Sequence, residues 1–402
     1  MIHHLLAKLD NLYSEMVDFR RDLHMYPEIS FQEEMTPKKI AAYLEKLGLE
    51  VRTGVGGRGV VGLLRGGKPG KTVALRADFD ALPIQDEKEI EYKSRIPGAM
   101  HACGHDLHTA ALLGVAKVLS EVREEISGNV VFVHQFAEEL TPGGAKPMIE
   151  DGCLDGVDII YGAHVMSTIP EGKIGVCEGY ASTAADEFEI TVQGKGGHGS
   201  QPHLTVDPLV TGCQLVLNLQ QIVSRRVDPL KSAVLTVGAI NCGSAPNVIP
   251  DAAVIKGTVR TFDEETRDLI EEAIGQISQS TCNGAGASCD YMYVRDAPSM
   301  WNDPDETKRV EEMASLLFGE ERVERISPMT GSEDFAYYQK EIPGTYFFVG
   351  GGNPDIQAIY PHHHPKFDVD ERAMLTIGKV FIASVLNYLS DGNIVPEKES
   401  GL

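Results

Sequence analysis

A chain of 402 residues with 42% hydrophobic and 24% charged residues is neither disordered nor fibrous, and its length predicts two domains rather than one core. Lys and Arg number 36 against 59 Asp and Glu, a formal charge of −23, and that field repels nucleic acid and anionic membrane, so neither is expected as a partner. No run approaches the roughly 18 apolar residues that span a bilayer, "MIHHLLAKLD" lacks the pattern of an export signal, and seven scattered cysteines form no disulfide framework, so a cytoplasmic location is expected.

In chain order, apolar spacing predicts a helix around 10–24 (Leu12, Met16, Phe19, Leu23) and another around 35–47 that stops at Gly48. The short apolar runs "GVVGLLRGG", "TVALRADFDALPI", "NVVFVHQFAEEL" and "DIIYGAHV" then read as buried strands of an α/β sheet. Between the second and third lies the amphipathic stretch "DLHTAALLGVAKVLSEVREE", with Asp106 placed to cap a helix. From 184 to 296 the rhythm becomes β-α-β-β-α-β, the split pattern of a ferredoxin-like α+β unit. Afterwards the α/β pattern resumes through the strand "TYFFVGGG" and a last helix from about Asp370 to 389. The expected fold is therefore α/β. A catalytic domain with a central mixed sheet flanked by helices (1–183 and 297–402) is interrupted by an inserted domain at 184–296.

The potential metal ligands fall just past predicted strands. Cys103 and His105 lie in "HACGHDLH", Glu138 and Glu139 end "VVFVHQFAEE", His164 ends "DIIYGAH", and His362, His363 and His364 follow "TYFFVGGG". Loops at the carboxyl ends of strands are where open α/β sheets bind ligands. Each feature alone has an ordinary explanation as surface, core or helix cap; four together point to a metal site. Imidazole, thiolate and carboxylate suit zinc or another divalent first-row ion, and the donors exceed what one tetrahedral ion needs. Two ions about 3.5–4 Å apart would use them, with Cys103 able to bridge. In an extended stretch Cys103 and His105 would project to one side, and Gly104 would permit close approach. Of Glu138 and Glu139, one can hold metal while the other serves as general base, provided the backbone has left the sheet there.

With these residues in view the sequence resembles the metal-dependent aminoacylase and carboxypeptidase family. The likeness is strongest to the branch of hippurate hydrolases, N-acyl-amino-acid amidohydrolases and auxin-conjugate hydrolases. The matching stretches include "RRDLHMYPEISFQE", "RADFDALPI", "MHACGHDLHTA", "AEE", "GAHV", "GKGGHGSQPHLTVDP", "APNVIPDAA", "GSEDFAYY" and "HHHPKFDVDE", running from residue 20 to about 371. The resemblance implies two divalent ions, zinc or manganese with nickel or cobalt as substitutes, held by Cys103, His105, Glu139, His164 and His363. It makes Cys103 the bridge and Glu138 the general base, and it selects His363 from the triplet by its place two before Pro365. Asp78 matches an aspartate that stands behind a metal-binding imidazole. Many relatives carry a histidine ligand where this chain has Arg76, and His105 supplies that imidazole in this branch.

The same resemblance implies a homodimer through the inserted domain, with a higher oligomer left open. His198 in "GGHGS" would reach a partner's active site to hold the oxyanion, and Asn247 and Arg260 would bind the substrate's carboxylate. The implied activity is hydrolysis of the amide of a small N-acyl-L-amino acid by metal-activated water. A dipeptidase or an N-acetyl-diaminopimelate deacetylase would use the same site. A metal-free cysteine hydrolase built on Cys103 and a catalytically silent metal- or peptide-binding protein are the readings from other classes.

Overall fold

In the computed structural model, which describes residues 2–396, the chain divides into two compact units. The first comprises Met1–Ala181, Trp301–Ser327 and Asp334–Leu402; the second comprises Ser182–Met300 and Pro328–Glu333.

The first unit is built on an eight-stranded sheet whose strands are β1 (Glu50–Val55), β2 (Gly59–Arg65), β3 (Lys68–Asp78), β4 (Ser127–Gln135), β5 (Ile159–Pro170), β6 (Ile174–Val176), β7 (Val323–Arg325) and β8 (Gly344–Gly352). Their spatial order is β1-β2-β4-β3-β5-β8-β6-β7. The central strands β4, β3, β5 and β8 run parallel, whereas β1, β2 and β6 meet their inner neighbours antiparallel. The continuous apolar runs are explained by burial: Val73, Ala74 and Leu75 of β3, Val130, Phe132 and Val133 of β4, and Ile160 and Tyr161 of β5 are all fully enclosed. Helices His105–Ser120 and Ala373–Leu389 pack on one another and on β3.

Parallel register brings the strand ends level. Asp78, the last residue of β3, pairs with Gln135, the last of β4. Arg76 pairs with Gly162, which sets His164 of β5 beside Asp78. His164 was expected to end its strand, but β5 continues to Pro170 because β8 keeps pairing with it beyond the point where β3 stops.

The second unit carries a four-stranded antiparallel sheet in the order Ala233–Cys242, Ala252–Thr261, Ala184–Gln193, Ser288–Arg295. Numbered by its own chain order this is 2-3-1-4, the arrangement that a β-α-β-β-α-β sequence takes when its two halves interleave. Phe188, Ile190 and Val192 alternate inward and pack with Leu215 and Leu219 of the first helix and Ile270 and Ile274 of the second. Both helices are capped by an aspartate: Asp207 accepts from the amides of Leu209 and Val210, and Asp263 accepts from that of Thr266. Among the described residues no helix is long and apolar enough to cross a membrane.

Candidate metal centre

The helix His105–Ser120 begins at Gly104, whose φ of 99° is left-handed. A Cβ there would stand 2.5 Å from Val165 Cγ1, so only glycine fits. This turn, rather than the side-to-side alternation of an extended stretch, brings Cys103 and His105 together. Asp106 does not cap the helix; it is buried and accepts from Arg20 Nε at 2.7 Å and His24 Nδ1 at 2.8 Å.

Past β4 the chain leaves the sheet at Ala137, which has a φ of 49°. That left-handed residue breaks the alternation that would send Glu138 and Glu139 to opposite faces. As a result both carboxylates lie 3.9 Å from one atom, His105 Nε2.

Hydrogen bonds assign the state of each imidazole. His105 Nδ1 faces Asp80 Oδ1 at 3.0 Å, while its buried Nε2 has no hydrogen-bond partner. His164 Nδ1 donates to the Val165 carbonyl at 2.8 Å, which leaves its Nε2 lone pair 3.4 Å from Cys103 Sγ. His108 is different. Its Nε2 accepts from the Val165 amide at 2.9 Å, so its Nδ1 carries the proton and donates to Asp78 Oδ1 at 2.7 Å. Both nitrogens are used, and His108 is a structural imidazole one helical turn below a ligand-like one.

Among the described residues four groups have ligand atoms within 4.8 Å of one another: Asp78, His105 and His108; Glu138, Glu333 and Asp334; and the two that contain a thiol, Cys103, His105 and Glu139, and Cys103, His164 and His362. The last two share the cysteine. The histidine triplet divides between them, because His363, with a φ of 63° and its amide on the Ala102 carbonyl, lies 3.1 Å from Glu139 Oε1, while His362 donates from Nε2 to the Val165 carbonyl at 3.0 Å. Selection by distance to Pro365 named His363 and passed over His362.

The charge pattern calls for a cation. Burial and the nearby Glu139 and Glu138 push the Cys103 thiol well above its ordinary value, the reverse of what a cysteine nucleophile needs. Burial would lower His105, yet Asp78, Asp80 and Glu139 raise it to about 10. Burial keeps His164 neutral, the form in which imidazole binds metal. Soft and borderline donors around an excess of negative charge, with one buried ring nitrogen left over, fit divalent zinc-like ions.

Asp78, expected behind a metal-binding imidazole, bonds His108 and also lies 3.7 Å from His105 Nε2. The carboxylate on His105 Nδ1 belongs to Asp80, which sequence reasoning missed. Arg76 is buried and ion-paired with Asp78 at 2.7 Å and Asp334 at 3.0 Å, with Gln135 Oε1 on its Nε at 2.9 Å. Arg76→Met would strand two buried carboxylates, a cost of about 3–5 kcal/mol. Urea unfolding of the variant should show that loss, and a shift below about 1 kcal/mol would mean that the network relaxes around the gap.

In the second unit His198 is exposed on a short ladder, paired with Val248. The Ser200 amide and hydroxyl lie 3.1 and 2.9 Å from its Nδ1, so the proton sits on Nε2, which is a donor. Asn247 shares this loop, its carbonyl accepting from Gly199 at 2.8 Å. Arg260 does not join them; it lies near the far end of Ala252–Thr261, bonded to Thr258 Oγ1 and the Val259 carbonyl, with no ion pair among the described residues.

Imidazole, thiolate and carboxylate gathered at the carboxyl ends of the central strands of a mixed sheet are the working parts of a metal-dependent hydrolase. The chain belongs to Peptidase family M20/M25/M40, whose profile matches residues 74–387. It is 51% identical over 381 residues to a Bacillus subtilis chain provisionally named amidohydrolase YhaA, covering 95% of this chain and 96% of that one. It is 45% identical over 285 residues to the N-acyl-L-amino acid amidohydrolase of Geobacillus stearothermophilus, 71% of this chain and 77% of the relative. The crystal structure of Bacillus subtilis YXEP, described as a dinuclear metal-binding peptidase, superposes with a TM-score of 0.83 at 34% identity over 95% of this chain and 99% of that one. The protein is an enzyme of a hydrolase family that acts on amides.

Proposed function

We propose that this enzyme cleaves the amide bond of N-acyl-L-amino acids with Glu138 as general base, and that the donor groups sharing Cys103 would hold two divalent cations. The observation that carries the reading is the convergence of Glu138 and Glu139 on His105 Nε2, both at 3.9 Å, beside two donor groups that share one thiol. The ions when bound would polarise the scissile carbonyl and make the attacking water more acidic. Cys103, His105 and Glu139, with His363 beside the glutamate, would hold one, and Cys103, His164 and His362 the other. Glu138 takes the proton of the attacking water and delivers it to the departing amine, so that a carboxylic acid and a free amino acid leave.

His198 of a second copy, its proton on Nε2, donates to the developing oxyanion, which requires a dimer through the inserted domain. Asn247 or Arg260, which do not lie together, would receive the substrate's carboxylate; among the described residues Arg260 makes no ion pair, which suits its guanidinium to that task. The names of the amidohydrolase relatives support the substrate class.

The test is metal analysis of the purified protein with assays on N-acetyl and N-benzoyl amino acids and on dipeptides. Hydrolysis should disappear on chelation and return with zinc or manganese. Full activity after chelation, or a metal-loaded protein that cleaves none of the N-acyl substrates, would sink the proposal.

A further inference from the structure

The general base sits on an unusual piece of backbone, and something must hold it there. An L residue at a φ of 49° meets crowding between its Cβ and the backbone, and alanine has no polar side chain to compensate. The Ala137 amide is captured by Glu33 Oε1 at 2.9 Å, and its carbonyl accepts from Gly144 at 3.1 Å.

Glu33 is an odd choice for so modest a task. It is 1% exposed, its Oε2 has no hydrogen-bond partner, and the nearest guanidinium nitrogen, Arg58 Nε, is 3.9 Å away. Burying a carboxyl for one distant amide works against stability. The segment around it makes three more contacts there. Ile29 bridges Ala81, and Ser30 Oγ donates to Asp80 Oδ2 at 2.7 Å. Phe31, itself left-handed at 64°, sets its ring edge-on to Phe136 at 5.8 Å. Residues 29–33 thus strap the loop that carries Asp80 to the turn that carries Glu138.

We propose that Glu33 is a positioning residue: by holding the Ala137 amide it keeps the left-handed turn that aims Glu138 and Glu139 at one point. The proposal rests on the reading of Glu138 as general base. A small misplacement of such a group can reduce turnover by about 10²-fold.

Glu33→Ala should lower kcat by about 10- to 100-fold with little change in KM and wild-type metal content. Glu33→Gln, which keeps an acceptor oxygen, should retain most of the activity. Adding Ala137→Gly to Glu33→Ala should recover part of the loss, since glycine occupies the left-handed region without penalty. Ala137→Val, which penalises the turn and leaves Glu33 untouched, should lower kcat as Glu33→Ala does. Hydrogen exchange of a peptide covering 136–144 should quicken in Glu33→Ala. Unchanged kcat in Glu33→Ala or Ala137→Val, or a Glu33→Gln variant as poor as Glu33→Ala, overturns the proposal. A wild-type protein inactive on every N-acyl amino acid is a failure of the functional reading instead. The exchange measurement then still decides whether Glu33 holds the turn, and an unchanged rate at 136–144 overturns it.

Discussion

Glu138→Gln should lower turnover on N-acyl amino acids by about 10²–10⁴-fold while metal content stays at the wild-type level. The split between the two readouts follows from the geometry. Glu139 is the member of the pair grouped with Cys103 and His105, and its Oε1 also meets His363 at 3.1 Å. Glu138 stands next to it, with 12% of its side chain exposed and Oε2 3.9 Å from His105 Nε2. Gln keeps the size and an acceptor oxygen but cannot take a proton from water or return one to the amine. Glu139→Gln should behave differently, reducing bound metal together with activity. Mass-spectrometric metal analysis beside steady-state kinetics distinguishes the two variants. Near-normal kcat in Glu138→Gln would remove that residue from its role, and metal loss in it would exchange the roles of the two glutamates.

Much of the centre was legible because its donors follow apolar runs that can only be buried strands. "TVALRAD", "NVVFVH" and "DIIYGAH" become β3, β4 and β5, and the parallel register does the rest. What was not legible is the choice among identical neighbours. Asp78 and Asp80 are two residues apart in "RADFD", and which one hydrogen-bonds His105 depends on β3 ending between them. His105 and His108 share a helix face, and only a distant amide, that of Val165, reveals that His108 is already occupied. His362 and His363 differ by a left-handed φ of 63° that no local signal announces. Glu33 was passed over for a related reason: its partner lies 104 positions away, and the need for it arises from the backbone at Ala137. Composition and period locate a site, but tautomers and orientation are decided by contacts across the fold.

Asp80→Asn should weaken metal binding by about 10- to 100-fold and lower kcat even at saturating metal. Asp80 is 1% exposed and uses both oxygens: Oδ1 faces His105 Nδ1 at 3.0 Å, and Oδ2 accepts from the Glu139 amide at 3.0 Å and Ser30 Oγ at 2.7 Å. Burial would raise its pKa, but hydrogen bonding and charge from His105, with the Glu139 amide and Ser30, hold it below the usual carboxylate range. An asparagine can offer its oxygen to only one side. Either His105 loses the acceptor that leaves its Nε2 unprotonated for metal, or the Glu139 amide meets an NH₂ and the glutamate pair shifts. Asp78→Asn provides the contrast, since Asp78 hydrogen-bonds His108 and Arg76 and meets His105 only at 3.7 Å. That variant should lose stability to urea far more than affinity for metal. Chelator competition on both variants reads the difference. Wild-type affinity in Asp80→Asn combined with a large loss in Asp78→Asn would return the supporting role to Asp78 and refute the assignment made from the hydrogen bonds of His105.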